Sequence, residues 1–109
     1  MSSTKAYLDF ILEQLSDLPE ITYRAMMGEY ILYYRGKIVG GIYDDRLLVK
    51  PTKSALAAMP NAPHELPYEG ATPKLLGEDV DSKDALTALF QTMYPELPAP
   101  KAKKKPKSR

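Results

Sequence analysis

Cysteine is absent from the 109 residues, which excludes a disulfide framework and any thiolate metal site. Histidine occurs once, at His64, and most zinc schemes fall with that count. No stretch approaches the roughly 18 apolar residues of a membrane-spanning helix, so no membrane association is expected. The opening MSSTKAYLDF lacks a basic segment followed by an apolar core, so no signal peptide is expected and the default location is cytoplasmic. No G-x-S-x-G elbow appears, and without a thiol there is no cysteine nucleophile. The expectation is a protein without catalytic residues, cofactor or metal.

What is present is ordinary for a globular domain: 44% hydrophobic and 27% charged residues. A chain of this length holds one domain, which buries roughly two-thirds of its unfolded surface and needs no staples. The formal charge of +1 hides a division. Residues 101–109 (KAKKKPKSR) carry six positive charges, while residues 1–100 carry nine basic against fourteen acidic side chains, a balance of −5.

The stretch from Ile21 to Lys50 (ITYRAMMGEYILYYRGKIVGGIYDDRLLVK) organises the rest. Short runs of β-forming residues are broken at Gly28, at Arg35-Gly36 and at Asp44-Asp45, the pattern of antiparallel strands joined by tight hairpins. Strands are expected at Ile21–Met26, Tyr30–Tyr34, Ile38–Tyr43 and Leu47–Lys50, the last stopped by Pro51. Gly28 suits a bulge or a positive φ. Gly40 and Gly41 inside the third strand mark a bend or a close approach, with a helix packed over them as the preferred cause rather than a ligand.

Leu8, Ile11, Leu12, Leu15 and Leu18 recur at helical spacing, widened by Tyr7 and Phe10. They predict a helix over Thr4–Leu18, capped by Ser2 or Ser3 and ended by Pro19. Thr52 caps a short helix, Lys53–Met59. Residues 60–73 read as a loop, long for a domain of this size. Lys74–Gly77 adds a brief fifth strand. Asp81 caps a last helix, Ser82–Tyr94, whose stripe is Leu86, Leu89, Phe90 and Met93. The order predicts an α+β fold of two layers, an antiparallel meander sheet of four to five strands covered by the N- and C-terminal helices. After Leu97 the composition turns to Pro, Lys, Ala and Ser, which cannot bury enough apolar area to offset ordering entropy. The division is a domain at 1–97 and a disordered basic tail at 98–109.

The meander carries a resemblance. Arg24-Ala25-Met26-Met27-Gly28-Glu29-Tyr30, then Leu32-Tyr33, Gly36-Lys37, and Asp44-Asp45-Arg46-Leu47 with Lys50 are similar to the N-terminal domain of the TfoX/Sxy competence-regulator family. Tyr68-Glu69-Gly70 resembles that family's middle loop. The resemblance covers roughly residues 5–97. It implies a regulator of DNA-uptake genes working with the cyclic-AMP receptor protein, and it marks Arg24, Met26, Gly28, Tyr30, Gly36, Lys37, Asp45, Leu47 and Lys50 as motif residues. Met27 stands where the family usually has Phe, and as a flexible core filler it is expected to repack. Full-length members resemble a two-domain arrangement; here only the tail follows, so a stand-alone domain is expected.

Other clusters have plainer explanations. Tyr23, Tyr30, Tyr33, Tyr34, Arg24, Arg35, Lys37 and Arg46 suggest a base-stacking platform, yet Lys37 takes an aromatic position of the RNA-binding pattern and the element order differs. Glu78, Asp79, Asp81 and Asp84 lack the Gly and terminal Glu of a calcium loop, and helix capping explains Asp81 and Asp84. His64 beside Glu65 reads as a surface group, and Arg24 with Glu29 as a charge pair at the sheet edge. The tail residues Lys101, Lys103, Lys104, Lys105, Lys107 and Arg109 can bind nucleic acid weakly and without sequence preference. The reading is a regulatory, protein-interaction domain with an unidentified protein partner. Its surface is expected at the sheet edge or the tyrosine rim from Tyr30 to Tyr43, where an exposed strand also allows a homodimer. The alternatives are a nucleic-acid-associated protein acting through its tail and a small-molecule binder with a pocket under residues 60–77.

Overall fold

Three consecutive two-residue turns set the architecture. The computed structural model describes residues 3–66, 73–77 and 80–98. In it Met27-Gly28, Arg35-Gly36 and Asp44-Asp45 all have positive φ, between 53° and 86°. Two successive left-handed residues define the type I′ turn, whose twist matches that of the strands it joins. Each turn therefore returns the chain as an adjacent antiparallel strand. The strands are β1 (Ile21–Met26), β2 (Glu29–Tyr34), β3 (Lys37–Tyr43) and β4 (Arg46–Val49).

Two shorter strands extend the sheet. β5 (His64–Glu65) and β6 (Lys74–Leu76) pair with each other, and β6 pairs with β4. The antiparallel order is β1-β2-β3-β4-β6-β5, so β1 and β5 are the edges. The six strands among the described residues exceed the four to five expected. β6 falls at the anticipated fifth strand, and β5 lies inside the segment read as loop.

Strand periodicity sorts the sheet into two faces. Tyr30, Leu32, Tyr34, Ile42, Leu47, Val49 and Leu75 point one way and share a core with the helices. α1 (Lys5–Gln14) gives Leu8 and Ile11 to that core and, past its end, Leu15 and Leu18. α2 (Lys53–Ala58) gives Ala55, with Met59 following it, and α3 (Lys83–Met93) gives Leu86, Leu89, Phe90 and Met93. A 3-10 turn at Tyr94–Glu96 brings Leu97 under the same roof. Phe10, expected to widen the helical stripe, is 36% exposed instead. Its ring lies against Tyr7, which does pack on the core.

Two of the three helix caps lie one or two residues from their expected places. Thr4 caps α1 by accepting from the Tyr7 amide, and Ser3 is engaged elsewhere. Ser82, not Asp81, caps α3 by accepting from the Ala85 amide. Thr52 caps α2 as its position predicts, accepting from the Ala55 amide.

The paired glycines have another cause than helix packing. A bulge leaves Val39 unpaired against β2 and turns it into the core. At Gly40 the neighbouring strand comes so close that a Cβ would stand 2.2 Å from the Leu48 carbonyl oxygen. At Gly41 a Cβ would meet the Tyr30 carbonyl oxygen at 2.6 Å and the Tyr43 ring at 2.7 Å. One glycine admits a backbone and the other a tyrosine ring on the sheet's second face. Among the described residues, no helix is long and apolar enough to cross a membrane.

Candidate functional site

The motif residues converge on structure before they converge on chemistry. Gly28 and Gly36 hold the second, left-handed position of their turns. Tyr30 packs against the core and meets Tyr23 edge to face, ring centroids 5.8 Å apart. Leu47 is buried among the core side chains. The Lys37 ammonium sits 4.4 Å from the centroid of Tyr94, whose ring also meets Tyr34 at 5.2 Å and the Arg35 guanidinium at 5.5 Å. This cation-π arrangement ties the β2–β3 turn to the end of α3. The Lys50 amide donates to the bulged Val39 carbonyl at 3.0 Å.

Glu29 and Asp45 form a latch at the other end of the sheet. The Ser3 hydroxyl donates to Glu29 Oε1 at 2.6 Å, and the Asp44 amide donates to the same oxygen at 3.1 Å. Asp45 Oδ1 accepts from the Thr4 amide at 2.8 Å, while the Asp45 amide donates to Ser3 Oγ at 3.1 Å. The Ser3 amide closes the ring by donating to the Gly28 carbonyl at 2.9 Å. Two hairpin turns thus clamp the start of α1. The expected Arg24–Glu29 charge pair does not form, because Glu29 is committed to this latch. Nothing local announces it: its partners lie 15 and 26 positions from Glu29.

On the second face Arg24, Ile31, Gly41, Leu48 and Leu76 lie in one row across five strands. Leu48 and Tyr43 are buried here, outside the main core cluster. Arg46 donates to the Tyr43 carbonyl and pairs with Glu65 across β6, which fastens the two-residue β5. The register carries Lys50 beside Lys74, whose ammonium is held below its ordinary pKa by burial first and by the Lys50 charge second. His64 is exposed in β5, and its neighbour Glu65 serves Arg46 rather than a His-Glu pair. Among the described residues, no group of three His, Cys, Asp or Glu side chains could hold a metal.

The tyrosine rim is largely spent on packing: Tyr34 and Tyr43 are buried and Tyr30 half-buried. The first hairpin differs. Five consecutive residues of β1, Thr22 to Met26, are exposed, with Tyr23 at 43% and Met26 at 37%. Met27 is 94% exposed at the turn tip, so it does not repack into a core as its chemistry suggests. Arg24 makes no ion pair among the described residues. Met26, Met27 and Arg24 are the part of the motif that the fold does not consume. Their exposure follows from β1 being an edge, which pairing order alone decides. Tyr68, Glu69 and Gly70 and the tail cations Lys101, Lys103, Lys104, Lys105, Lys107 and Arg109 lie outside the described residues.

Comparison with known proteins agrees with the motif. The family model described as the TfoX N-terminal domain matches residues 13–93. A protein of Spirochaeta aurantia, described as an uncharacterized 12.7 kDa protein in the trpE 5′ region, is 31% identical over 105 residues, 95% of this chain and 91% of that protein. No solved structure gives a significant match.

Proposed function

This chain belongs to the TfoX N-terminal domain family, and from that premise we propose that it is a non-enzymatic regulatory domain, transcription-related, that binds another protein through its first hairpin. The observation that carries the reading is Met27. A methionine at φ 53° stands in a region that costs an L-residue roughly 1–2 kcal/mol, and it is 94% exposed. Asn or Gly would relieve that strain. A bulky apolar side chain held in solvent against its backbone preference suits contact with a partner. Met26, the next residue in the chain, adds exposed apolar area on the second face of the sheet.

Capture from an extract of the native cell tests this, using the full chain, the chain without residues 98–109, and Met27→Ser. Removing the tail leaves capture unchanged, and Met27→Ser lowers it by about tenfold, the loss of one modest contact at an interface. Capture indifferent to Met27→Ser overturns the reading. If removing the tail instead abolishes retention on DNA together with capture, the nucleic-acid reading takes its place.

A further inference from the structure

The outer edge of β1 has a geometry that suits a second copy of itself. In a two-residue hairpin the residues flanking the turn form a hydrogen-bonded pair, and such pairs recur at every second position. Met26, Arg24 and Thr22 therefore turn their backbone groups toward Glu29, Ile31 and Tyr33 of β2, and the Arg35 amide donating to the Glu20 carbonyl continues that parity. Ile21, Tyr23 and Ala25 turn theirs outward. Three residues thus present six N–H and C=O groups that are unpaired among the described residues, on a strand with no proline, lysine or bulge to blunt it. The opposite edge, β5, is two residues long and fastened by Arg46. One edge is guarded and the other is not.

We infer that two copies of this chain associate by antiparallel pairing of β1 with β1, with the two-fold axis at Tyr23. Parity fixes the register. Only outward-facing residues can exchange hydrogen bonds, and the single alignment that uses all three sets Tyr23 opposite Tyr23, and Ile21 opposite Ala25, in both directions. On the helix-covered face the two exposed Tyr23 rings meet at the axis, beside their Tyr30 partners. On the other face Arg24, the only charge in the strand, falls opposite Thr22 of the partner copy rather than opposite another arginine, so no like charges face each other. Thr22 is itself paired with Tyr33, which leaves an aromatic ring next in line for the guanidinium. The result is one continuous sheet through both copies, with isologous contacts. It rests on the proposed use of the first hairpin as an interaction surface and makes this chain its own partner along the strand, leaving the Met27 tip for another protein.

The absence of native cysteine makes a register test clean. Tyr23→Cys places two thiols across the axis with Cα atoms about 5.5 Å apart, within the disulfide range. Ala25→Cys, on the same face, places its two thiols about 14 Å apart, since each lies two residues beyond the axis and the strand rises about 3.4 Å per residue. Under mild oxidation Tyr23→Cys forms a covalent dimer and Ala25→Cys does not. Sedimentation of the unaltered chain gives twice 12.2 kDa, and Tyr23→Lys, with two ammoniums facing at the axis, gives the monomer. A circular dichroism spectrum unchanged in Tyr23→Lys assigns that loss to the interface rather than to unfolding; if this variant fails to fold, the two cysteine variants decide alone. A monomeric native chain, or equal cross-linking by both cysteine variants, overturns the pairing. Either result leaves capture through Met27 to stand or fall by its own experiment.

Discussion

At Met27 local preference and solvent exposure disagree, and the disagreement can be measured. Asn-Gly is the pair that a type I′ turn favours most, so Met27→Asn stabilises the domain by about 0.5–1 kcal/mol and raises its melting temperature by roughly 2–8 °C. Thermal unfolding followed by circular dichroism checks the sign; an unchanged or lower midpoint means that the turn bears no strain. Gly40 gives the opposite result. An added methyl meets backbone on the neighbouring strand, which cannot swing aside, so Gly40→Ala costs about 1–3 kcal/mol or more, read as a lower urea midpoint. The two positions also show what a sequence conceals. The glycine pair announces a close approach but not its source, and a methionine reads as core filler until pairing order places it on a tip.

At the level of elements, the latch rests on the Glu29 and Asp45 carboxylates and the contact with α2 on the Glu96 carboxylate. Glu29→Ala leaves the Ser3 hydroxyl and the Asp44 amide without their acceptor and costs about 1–2 kcal/mol. Hydrogen exchange then quickens at the first-turn amides of α1 while the β2–β3 amides stay protected; uniform exchange would deny the latch a local role. Glu96 accepts from the Ser54 amide at 2.8 Å and the Ser54 hydroxyl at 2.6 Å, which joins the 3-10 turn after α3 to the first turn of α2. These hydrogen bonds hold the Glu96 carboxyl below its usual pKa of 4.5. A lowered folded pKa means that the unfolded chain binds the proton first. The contribution is therefore complete above the usual carboxylate value and is lost as pH falls through the lower, folded one. Denaturant midpoints across the acid range fall less steeply in Glu96→Gln. The strands and their hairpins were legible because both signals are local: alternation along the chain and turn residues between the runs. β5 was not, since two residues show no period and its hold comes from β6 and Arg46. Cap positions slipped because adjacent polar residues compete, and the register of the apolar stripe on the sheet decides between them. The candidate site was half legible: the motif was recognised, but its division into latch, turn and exposed edge depends on contacts between residues far apart in sequence.

For the whole molecule, self-pairing through β1 links stability to concentration. Where the dimer forms, the melting temperature rises with protein concentration, and in Tyr23→Lys it does not. Differential scanning calorimetry over a dilution series separates the two; parallel behaviour would leave β1 without a partner copy. The order of assembly follows from an arrangement already described. β1 to β4 are consecutive neighbours and need only short loop closures, so they can zip together early. Their apolar face is completed by α3, the last α-helix among the described residues. At about 5–20 residues per second, the part of that greasy surface that α1 leaves uncovered stays bare for several seconds between completion of the meander and synthesis of α3. During that interval the uncovered face is open to wrong contacts, and slowing translation between Val49 and Lys83 prolongs its exposure.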